Sequence, residues 1–464
     1  MKFHIMGIGG AGMSAIARIL RSRGYEVSGD DRAESPVLAA LRDEGIPAFA
    51  GHDPRHLDGA APLGEGDILA PSSAISKDEP ELAEARKRGM KIWHRGDLLN
   101  FLMRDKIGIS IAGTHGKSTT TGMVAQILAD AGMDPSFVIG ATPLSLGVNA
   151  KHGEGDAFVV EADEYDRTFL RLDSKIAVIT NVEFDHPDIY KDLADYNAAF
   201  VQFVKQVPAD GLVVFCADDD GAMNVKRAAF GESHPQHVTD YGIDRGEWRA
   251  LNVRGNPLGG QDFSVQAADG RRAGVSLRVP GNHNVRNALA ALIVADACGV
   301  PLDKAAESVG VYRGAGRRFE MRGEKRGIKV FDDYAHHPTE IKATLQGARM
   351  RYPVARIWAI WQPHTFSRTV ALMDEFASSF GDADEVLVLP IYAAREKKED
   401  FSFAANAINP IEIARKIAHK SARNAASIGD AAGLLLSQVR PGDVVITLSA
   451  GDGNMAGEKL LQML

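Results

Sequence analysis

Cysteine is nearly absent: Cys216 and Cys298 are the two in a chain of 464 residues. That scarcity excludes a disulfide framework and a cysteine-rich metal site, and it fits a reducing compartment. Long apolar runs are missing too, since no stretch reaches the roughly 18 uncharged apolar residues of a membrane span, so no membrane partner is expected. The opening MKFHIMGIGGAGMSAIARIL is broken by glycines and followed into Arg18, unlike a secretory leader, and a cytoplasmic location is expected. No charge of one sign dominates. Lys and Arg total 53 against 61 Asp and Glu, a net charge of −8, which argues against a general nucleic-acid binder. No internal repeat with a period of about 20–50 residues is present. Hydrophobic residues at 45% and charged residues at 25% are ordinary for a globular chain, and the length suggests roughly two to four domains.

Glycine, by contrast, is plentiful at 47 residues, and its placement is informative. Three apolar runs each break into a polar or glycine-rich loop and then into helical spacing of apolar residues. They are Lys2 to Ile8 into Gly9-Gly10-Ala11-Gly12, Ile107 to Ala112 into Gly113-Thr114-His115-Gly116-Lys117, and Ile328 to Phe331 into Asp332-Asp333-Tyr334-Ala335-His336-His337. Strand, loop and helix in alternation predict an α/β protein with mainly parallel sheets. We expect a Rossmann-like first domain over residues 1–105, a central P-loop-type α/β domain over 106–314 and a Rossmann-like third domain over 315–464. The stretch Arg313 to Arg318 reads as a linker, and residues 240–280 read as antiparallel strands on the edge of the central sheet.

The central loop carries the strongest signal. In Gly113-Thr114-His115-Gly116-Lys117-Ser118-Thr119, glycines let backbone N–H groups surround phosphate oxygens, and the following helix adds positive potential. Lys117 suits the β- and γ-phosphates and Ser118 suits Mg²⁺. The full P-loop pattern has a further Gly where Ile111 stands, so the loop is a compressed variant. Two later apolar strands end in Glu161-Ala162-Asp163-Glu164 and in Glu183-Phe184-Asp185-His186. Ligands in parallel sheets bind beyond the carboxyl ends of strands. Glu161 and His186 are therefore expected beside the phosphate loop, Glu161 on one Mg²⁺ and His186 on a second.

The first loop contains G-x-G-x-x-G at Gly7, Gly9 and Gly12, with Asp30-Asp31 about 20 residues on. That spacing fits a dinucleotide such as NAD, or the diphosphate of a UDP-type substrate. In the third domain, Asp332 to Pro338 and Gln362-Pro363-His364 to Arg368-Thr369 follow apolar runs and could line a cleft. Arg368 suits a carboxylate or phosphoryl oxygen.

With these motifs assembled, the chain resembles the Mur ligases, the ATP-dependent family that builds the peptide stem of bacterial cell-wall precursors. The loop Gly113 to Thr120, Glu161 to Glu164, Asn181 to His186, Gly281-Asn282-His283-Asn284 with Asn287, Arg317-Arg318-Phe319 and Asp332 to Pro338 follow the family's order over nearly the whole chain. Gly7 to Ala15, Ser72 to Ile75, Gln362 to Thr369 and Tyr392-Ala393-Ala394 resemble the branch that adds the first amino acid. Asp30 departs from that branch's usual Ser, and Arg395 from a Gly before Glu396.

The resemblance implies an ATP-dependent ligase joining L-alanine to the carboxylate of UDP-N-acetylmuramate in peptidoglycan synthesis. It implies ATP on Gly113, Thr114, His115, Gly116, Lys117, Ser118 and Thr119, with His283, Asn284 and Asn287 toward adenine. It implies Mg²⁺, two ions, on Ser118, Glu161 and His186. Gly9, Gly10, Ala11, Gly12, Met13, Ser14, Asp31, Ser72 and Ser73 would hold the UDP-sugar and not NAD. Tyr334, His336, His364 and Arg368 would hold the amino acid, and Lys117, Glu161, His186, His336 and Arg368 would carry the chemistry. The alternatives are a recycling ligase that attaches a tripeptide, to which Glu161 to Asp166 leans, and a non-catalytic nucleotide-sugar sensor of the same fold.

Overall fold

The computed structural model describes residues 1–58, 62–231, 237–394, 396–404 and 409–464. Three sheets succeed one another along the chain. The first has five parallel strands in the order Ala48–Ala50, Glu26–Asp31, Lys2–Met6, Ile68–Pro71, Lys91–Ile92. The second has ten strands. At its centre lie Leu212–Cys216, Ile176–Ile179, Ile107–Ala112 and Ala157–Glu161, side by side and parallel. One edge continues through Trp248–Gly255, Gln261–Gln266 and Arg272–Ser276 as an antiparallel meander. The third sheet has six strands. Glu320–Lys325 is antiparallel at one edge, and Ile328–Asp333, Val444–Leu448, Ile357–Trp361, Glu385–Val388 and Ala422–Asn424 are parallel.

The central strands of the second sheet, and Val444–Leu448 and Ile357–Trp361 of the third, are largely apolar without alternation because both faces are covered. In Ile107–Ala112 every residue after the first is buried. The helix Lys117–Asp130 is buried on nearly all sides, from Ser118 to Leu128. It lies on the central sheet beside the helix Asn282–Ala297, which packs on the same sheet and is just as thoroughly buried. This is why neither helix has a polar face. Truncating Leu128 or Leu289 to Ala would cost about 2–5 kcal/mol. Fixing the axis of Lys117–Asp130 in this way fixes where Lys117 starts.

The sheets are joined by packing as well as by chain. Helices Ala11–Ser22 and Arg95–Met103 of the first sheet lean on the strand Ala150–Lys151 and the turn Tyr165–Arg171 of the second, and one apolar core runs through both. The stretch Arg313 to Arg318 is no free tether. Ala315 bridges to Pro143, Tyr312 is fully buried, and Arg317 Nε donates to Asp332 Oδ2 at 2.9 Å. No described helix is long and apolar enough to cross a membrane.

Candidate active site

The phosphate-type loop sits at the carboxyl end of Ile107–Ala112, between the ends of Ala157–Glu161 and Ile176–Ile179. Gly113 has φ +135°, and a Cβ there would stand 2.1 Å from Thr180 Oγ1 and 2.9 Å from Asn181 O. Only glycine lets the loop press against that neighbour. The neighbour then braces it. His115 N–H donates to Asn181 Oδ1 at 2.8 Å, Thr180 Oγ1 donates to His115 O at 2.6 Å, and Thr114 Oγ1 donates to Glu183 O at 2.8 Å. The run Thr180 to Glu183 thus shapes the loop.

Lys117 begins the helix and turns back under the loop. Its Nζ donates to Gly113 O at 2.6 Å, Thr114 O at 3.1 Å and Glu164 Oε2 at 2.7 Å. Burial works against the ammonium, but Glu164 and Asp163 outweigh it and hold the pKa above its ordinary value. Glu164 also lies 3.4 Å from His186 Nε2. Burial likewise disfavours protonation of His186, and the contacts with Glu164 and Asp185 overcome it and raise its pKa. Glu161 ends its strand in register with Ile111, and its Oε1 is buried without a hydrogen bond. An orphaned carboxylate oxygen at the end of the strand next to the phosphate loop, close enough for its charge to act on Lys117, is what a resident Mg²⁺ would satisfy, so the residues present fit that ion.

On the far side of the loop lies a cleft of about 300 Å³ between the second and third sheets. His115, Gly116, Ser118, Thr119, His283, Asn284 and Asn287 all line it. Asn287 reaches the loop, since a Cβ on Gly116 would meet its Oδ1 at 2.7 Å. Burial, with Arg286 and Arg318 nearby, pushes His283 down to about 4, so it is neutral at pH 7. Arg286 Nε donates to Asp218 Oδ2 at 2.8 Å at the cleft's end. From the third sheet come Arg318, Asp333 and Glu340. Burial pushes Asp333 up to about 6, while Arg318 and the N–H groups of Ala335 and Phe319 oppose it.

Contacts cross from the second sheet to the third. Thr339 Oγ1 donates to Glu183 Oε1 at 2.8 Å. His115 lies 3.2 Å from Glu183 and 3.3 Å from Glu340. Burial alone would lower His115, but hydrogen bonds to these two carboxylates hold it at about 9. Arg368 donates from Nε and Nη2 to Asp185 Oδ1, at 3.1 and 2.8 Å, with both residues buried. His336 and His364 face each other with ring centres 5.6 Å apart, Tyr334 lies 5.2 Å from His336, and Tyr392 stacks on His364 at 5.7 Å. Burial pushes His336 down to about 3, against the pull of Glu340. Arg395 lies outside the described residues.

The first loop is built differently. Gly7 and Ile8 N–H groups donate to Asp30 O at 2.7 and 2.9 Å, and Gly9 N–H donates to Asp31 Oδ2 at 2.9 Å. Gly10 caps the helix Ala11–Ser22 without any side-chain hydrogen bond. Ser72 packs on Gly7, and Ala11 O accepts from Asn149 of the central sheet at 3.3 Å. Met13 and Ser14 are buried in the first turn of that helix, where Ser14 N–H donates to Gly10 O at 2.9 Å, and Ser73 follows Ser72 in the chain. Arg95 lies against Gly12 and donates to Asp163 Oδ2 at 3.0 Å. It spans the gap from the first glycine loop to the acidic strand end of the second.

The structure therefore brings Lys117, Glu161 and His186 to one end of the loop and the adenine-side candidates to the other. Tyr334, His336, His364 and Arg368 gather on the third sheet facing Asp185. Sequence reasoning passed over Glu164, Asp185, Asn181, Arg95 and Glu340. Glu164 and Asp185 sat within motifs already singled out, and a carboxylate next to an expected cation was their available signal. Arg95 had none.

Three successive sheets with loops at the ends of their parallel strands, and a cleft at the phosphate loop between the second and third, define a ligase of the Mur type. The chain belongs to that family: residues 2–107 match the Mur ligase family catalytic domain, 111–295 the Mur ligase middle domain, and 317–451 the Mur ligase glutamate ligase domain. Among particular relatives, a UDP-N-acetylmuramate–L-alanine ligase of Salinibacter ruber is 42% identical, covering 100% of this chain and 95% of its own length. One from Desulfatibacillum aliphaticivorans is 40% identical, covering 99% and 98%. The solved UDP-N-acetylmuramate-alanine ligase of Thermotoga maritima superposes with a TM-score of 0.80 at 29% identity, covering 100% and 99%. A murein peptide ligase of Psychrobacter arcticus gives 0.74 at 27%, covering 100% and 98%.

Proposed function

We propose that this enzyme uses ATP to join L-alanine to the carboxylate of UDP-N-acetylmuramate through an acyl phosphate, releasing ADP and phosphate, in the cytoplasm. The observation that carries it is the meeting of Lys117 and His186 on Glu164, at the end of the strand that Glu161 closes and beside Asp163, which Arg95 joins to the first glycine loop.

The assigned roles follow from position. Ala11, Gly12 and Met13 in the first turn of the helix present backbone N–H groups to the UDP diphosphate, while Gly9, Gly10 and Ser14 shape the turn and Asp31, Ser72 and Ser73 stand at its edge. Gly113 to Thr119 wrap the ATP phosphates, and Lys117 moves from Glu164 to the phosphoryl oxygens as charge builds there. Asn284, Asn287 and neutral His283 hold the base. Ser118, Glu161 and His186 would hold Mg²⁺, which when bound neutralises phosphate charge during transfer. His336 is neutral at pH 7 and stands with Tyr334, His364 and Arg368 to orient the amino acid. Arg368 is anchored by Asp185, so one guanidinium edge is committed to domain closure and the other faces His364 at 3.2 Å. Closure excludes water, which would otherwise hydrolyse an acyl phosphate.

The deciding experiment is phosphate release from ATP with Mg²⁺ and UDP-N-acetylmuramate, in the presence of L-alanine, of the stem tripeptide, or of neither. Release that requires L-alanine is expected. Release that requires the tripeptide would replace the acceptor with that of the recycling ligase, and silence in every tube would overturn catalysis.

A further inference from the structure

Inside the first sheet, away from the phosphate cleft, three ionisable residues meet with no solvent exposure at all: His4, Asp30 and Glu81. They come from the strand Lys2–Met6, the strand Glu26–Asp31 and the first turn of the helix Pro80–Lys87. The far atom of each side chain is already tied. His4 Nδ1 lies 2.8 Å from Ser28 Oγ, Glu81 Oε2 accepts from Asp53 N–H at 3.1 Å, and Asp30 Oδ1 faces His52 Nδ1 at 2.7 Å. The near atoms converge. His4 Nε2 is 2.8 Å from Glu81 Oε1 and 3.5 Å from Asp30 Oδ2, and one donor atom from each of the three lies within 4.8 Å of the others. In the ion-free protein the 2.8 Å approach pairs His4 with Glu81, and His4 Nε2 also reaches Asp30 Oδ2, so a proton occupies the point where the three side chains converge. His56 Nδ1 stands 3.2 Å from Asp30 Oδ2, its ring stacked on Phe49.

Two carboxylates buried together require positive charge between them. One nitrogen and two carboxylate oxygens converge on one point while outer partners hold the rings and carboxylates in place, which is how protein ligands are arranged round an ion that replaces the shared proton. We propose that His4 Nε2, Asp30 Oδ2 and Glu81 Oε1 form a structural site for a Zn²⁺-class divalent ion, with His56 Nδ1 or a water as fourth ligand. An imidazole–carboxylate set without thiolate suits Zn²⁺ better than Mg²⁺ or Ca²⁺. The ion would tie two strands and a helix together directly behind the first glycine loop, since Asp30 O holds the N–H groups of Gly7 and Ile8. Only that last consequence rests on the UDP-sugar reading; the site itself does not.

The test uses the full-length protein, stripped with chelator, dialysed against Zn²⁺ alone without nucleotide, and assayed for retained metal and thermal midpoint. His115, Glu183 and His337 also cluster across the ATP cleft, so His337→Asn serves as the control. The expected result is one tight equivalent kept by wild type and His337→Asn, and bound at least about 100-fold more weakly by Glu81→Gln. Ser28→Ala should weaken it by about 10–100-fold. Wild type alone provides a reading independent of any folding defect: Zn²⁺ should raise its midpoint and chelator should reverse the rise. No retained equivalent in wild type would overturn the proposal. So would an equivalent kept by Glu81→Gln and lost in His337→Asn, which would place the ion in the ATP cleft. Neither outcome touches the ligase assignment, which is read by phosphate release.

Discussion

The first and second glycine loops follow one local plan and end in different chemistry. Both leave an apolar parallel strand, turn on glycine and open a helix whose end carries no side-chain cap. Around Gly113 to Gly116 the neighbouring strands deliver Glu161, Glu164 and His186, and a lysine waits on a carboxylate. Around Gly7 to Gly10 the neighbours deliver Asp31, Ser72 and the reach of Arg95, with no lysine within the loop. A glycine turn at a strand end supplies N–H groups for an anion. Whether that anion is merely held or is transferred depends on what adjoining strands bring.

Mutation can break this contrast. The largest effect expected is from Lys117→Ala, which should reduce turnover at least about 10³-fold, roughly 4 kcal/mol of transition-state stabilisation. UDP-N-acetylmuramate affinity, set at the other loop, should change by less than about two-fold. Calorimetric titration checks the second half, and a parallel loss of sugar binding would mean that the loops are not separable.

Next comes the bridge from the second sheet to the third. Asp185→Ala leaves Arg368 buried without its partner, a change that costs about 3–5 kcal/mol where such pairs are broken. The cost should appear as loss of closure and as a higher KM for L-alanine. Small-angle scattering of the ligand-free variant should show expansion, and an unchanged profile would remove Arg368 from the closure mechanism.

Smaller again is the difference between glycines. Gly113→Ala meets Thr180 at 2.1 Å with φ +135° and should cost about 2–3 kcal/mol in thermal unfolding. Gly10 has an ordinary φ of −66°, and its added Cβ would come no nearer than 3.5 Å to any atom, so Gly10→Ala should cost under about 1 kcal/mol. Equal losses would show that the first loop is as tightly braced as the second.

The smallest effect expected is with pH. His115 sits at about 9 when closed against 6.5 unperturbed, so its charged contact with Glu183 and Glu340 is complete below 6.5 and fades as pH rises from 6.5 to 9. His336, at about 3, has the opposite sign and opposes folding only as pH falls from 6.5 toward 3. Interdomain energy transfer in the ligand-free enzyme should therefore decline above pH 6.5, and His115→Gln should flatten that decline.

Much of the site was legible because its parts are local. The strand Ile107–Ala112, its loop and Lys117 lie in one unbroken segment, and period, glycine spacing and lysine position can be read in order. The edge meander within residues 240–280 showed itself through alternation, as in Gln261–Gln266. Arg313 to Arg318 read as a linker because glycine and arginine are common in linkers. It packs because Tyr312 fills the core and Arg317 finds Asp332. Glu164 looked like one more acid beside Glu161, and nothing local distinguishes the carboxylate that meets Lys117 from the one left open.

The sequence by itself determined the α/β character, the three glycine or acidic loops at strand ends, and the identity of the cation in the phosphate loop, because each depends on residues within about one helical turn or one strand of each other. Tertiary structure alone decided that Glu164 holds Lys117, that Arg95 reaches from the first loop to Asp163, that Asp185 claims Arg368, and that His4, Asp30 and Glu81 share one buried point. Those pairings join residues far apart in the chain through strand order and domain contact, and neither is written in the local pattern of apolar and polar residues.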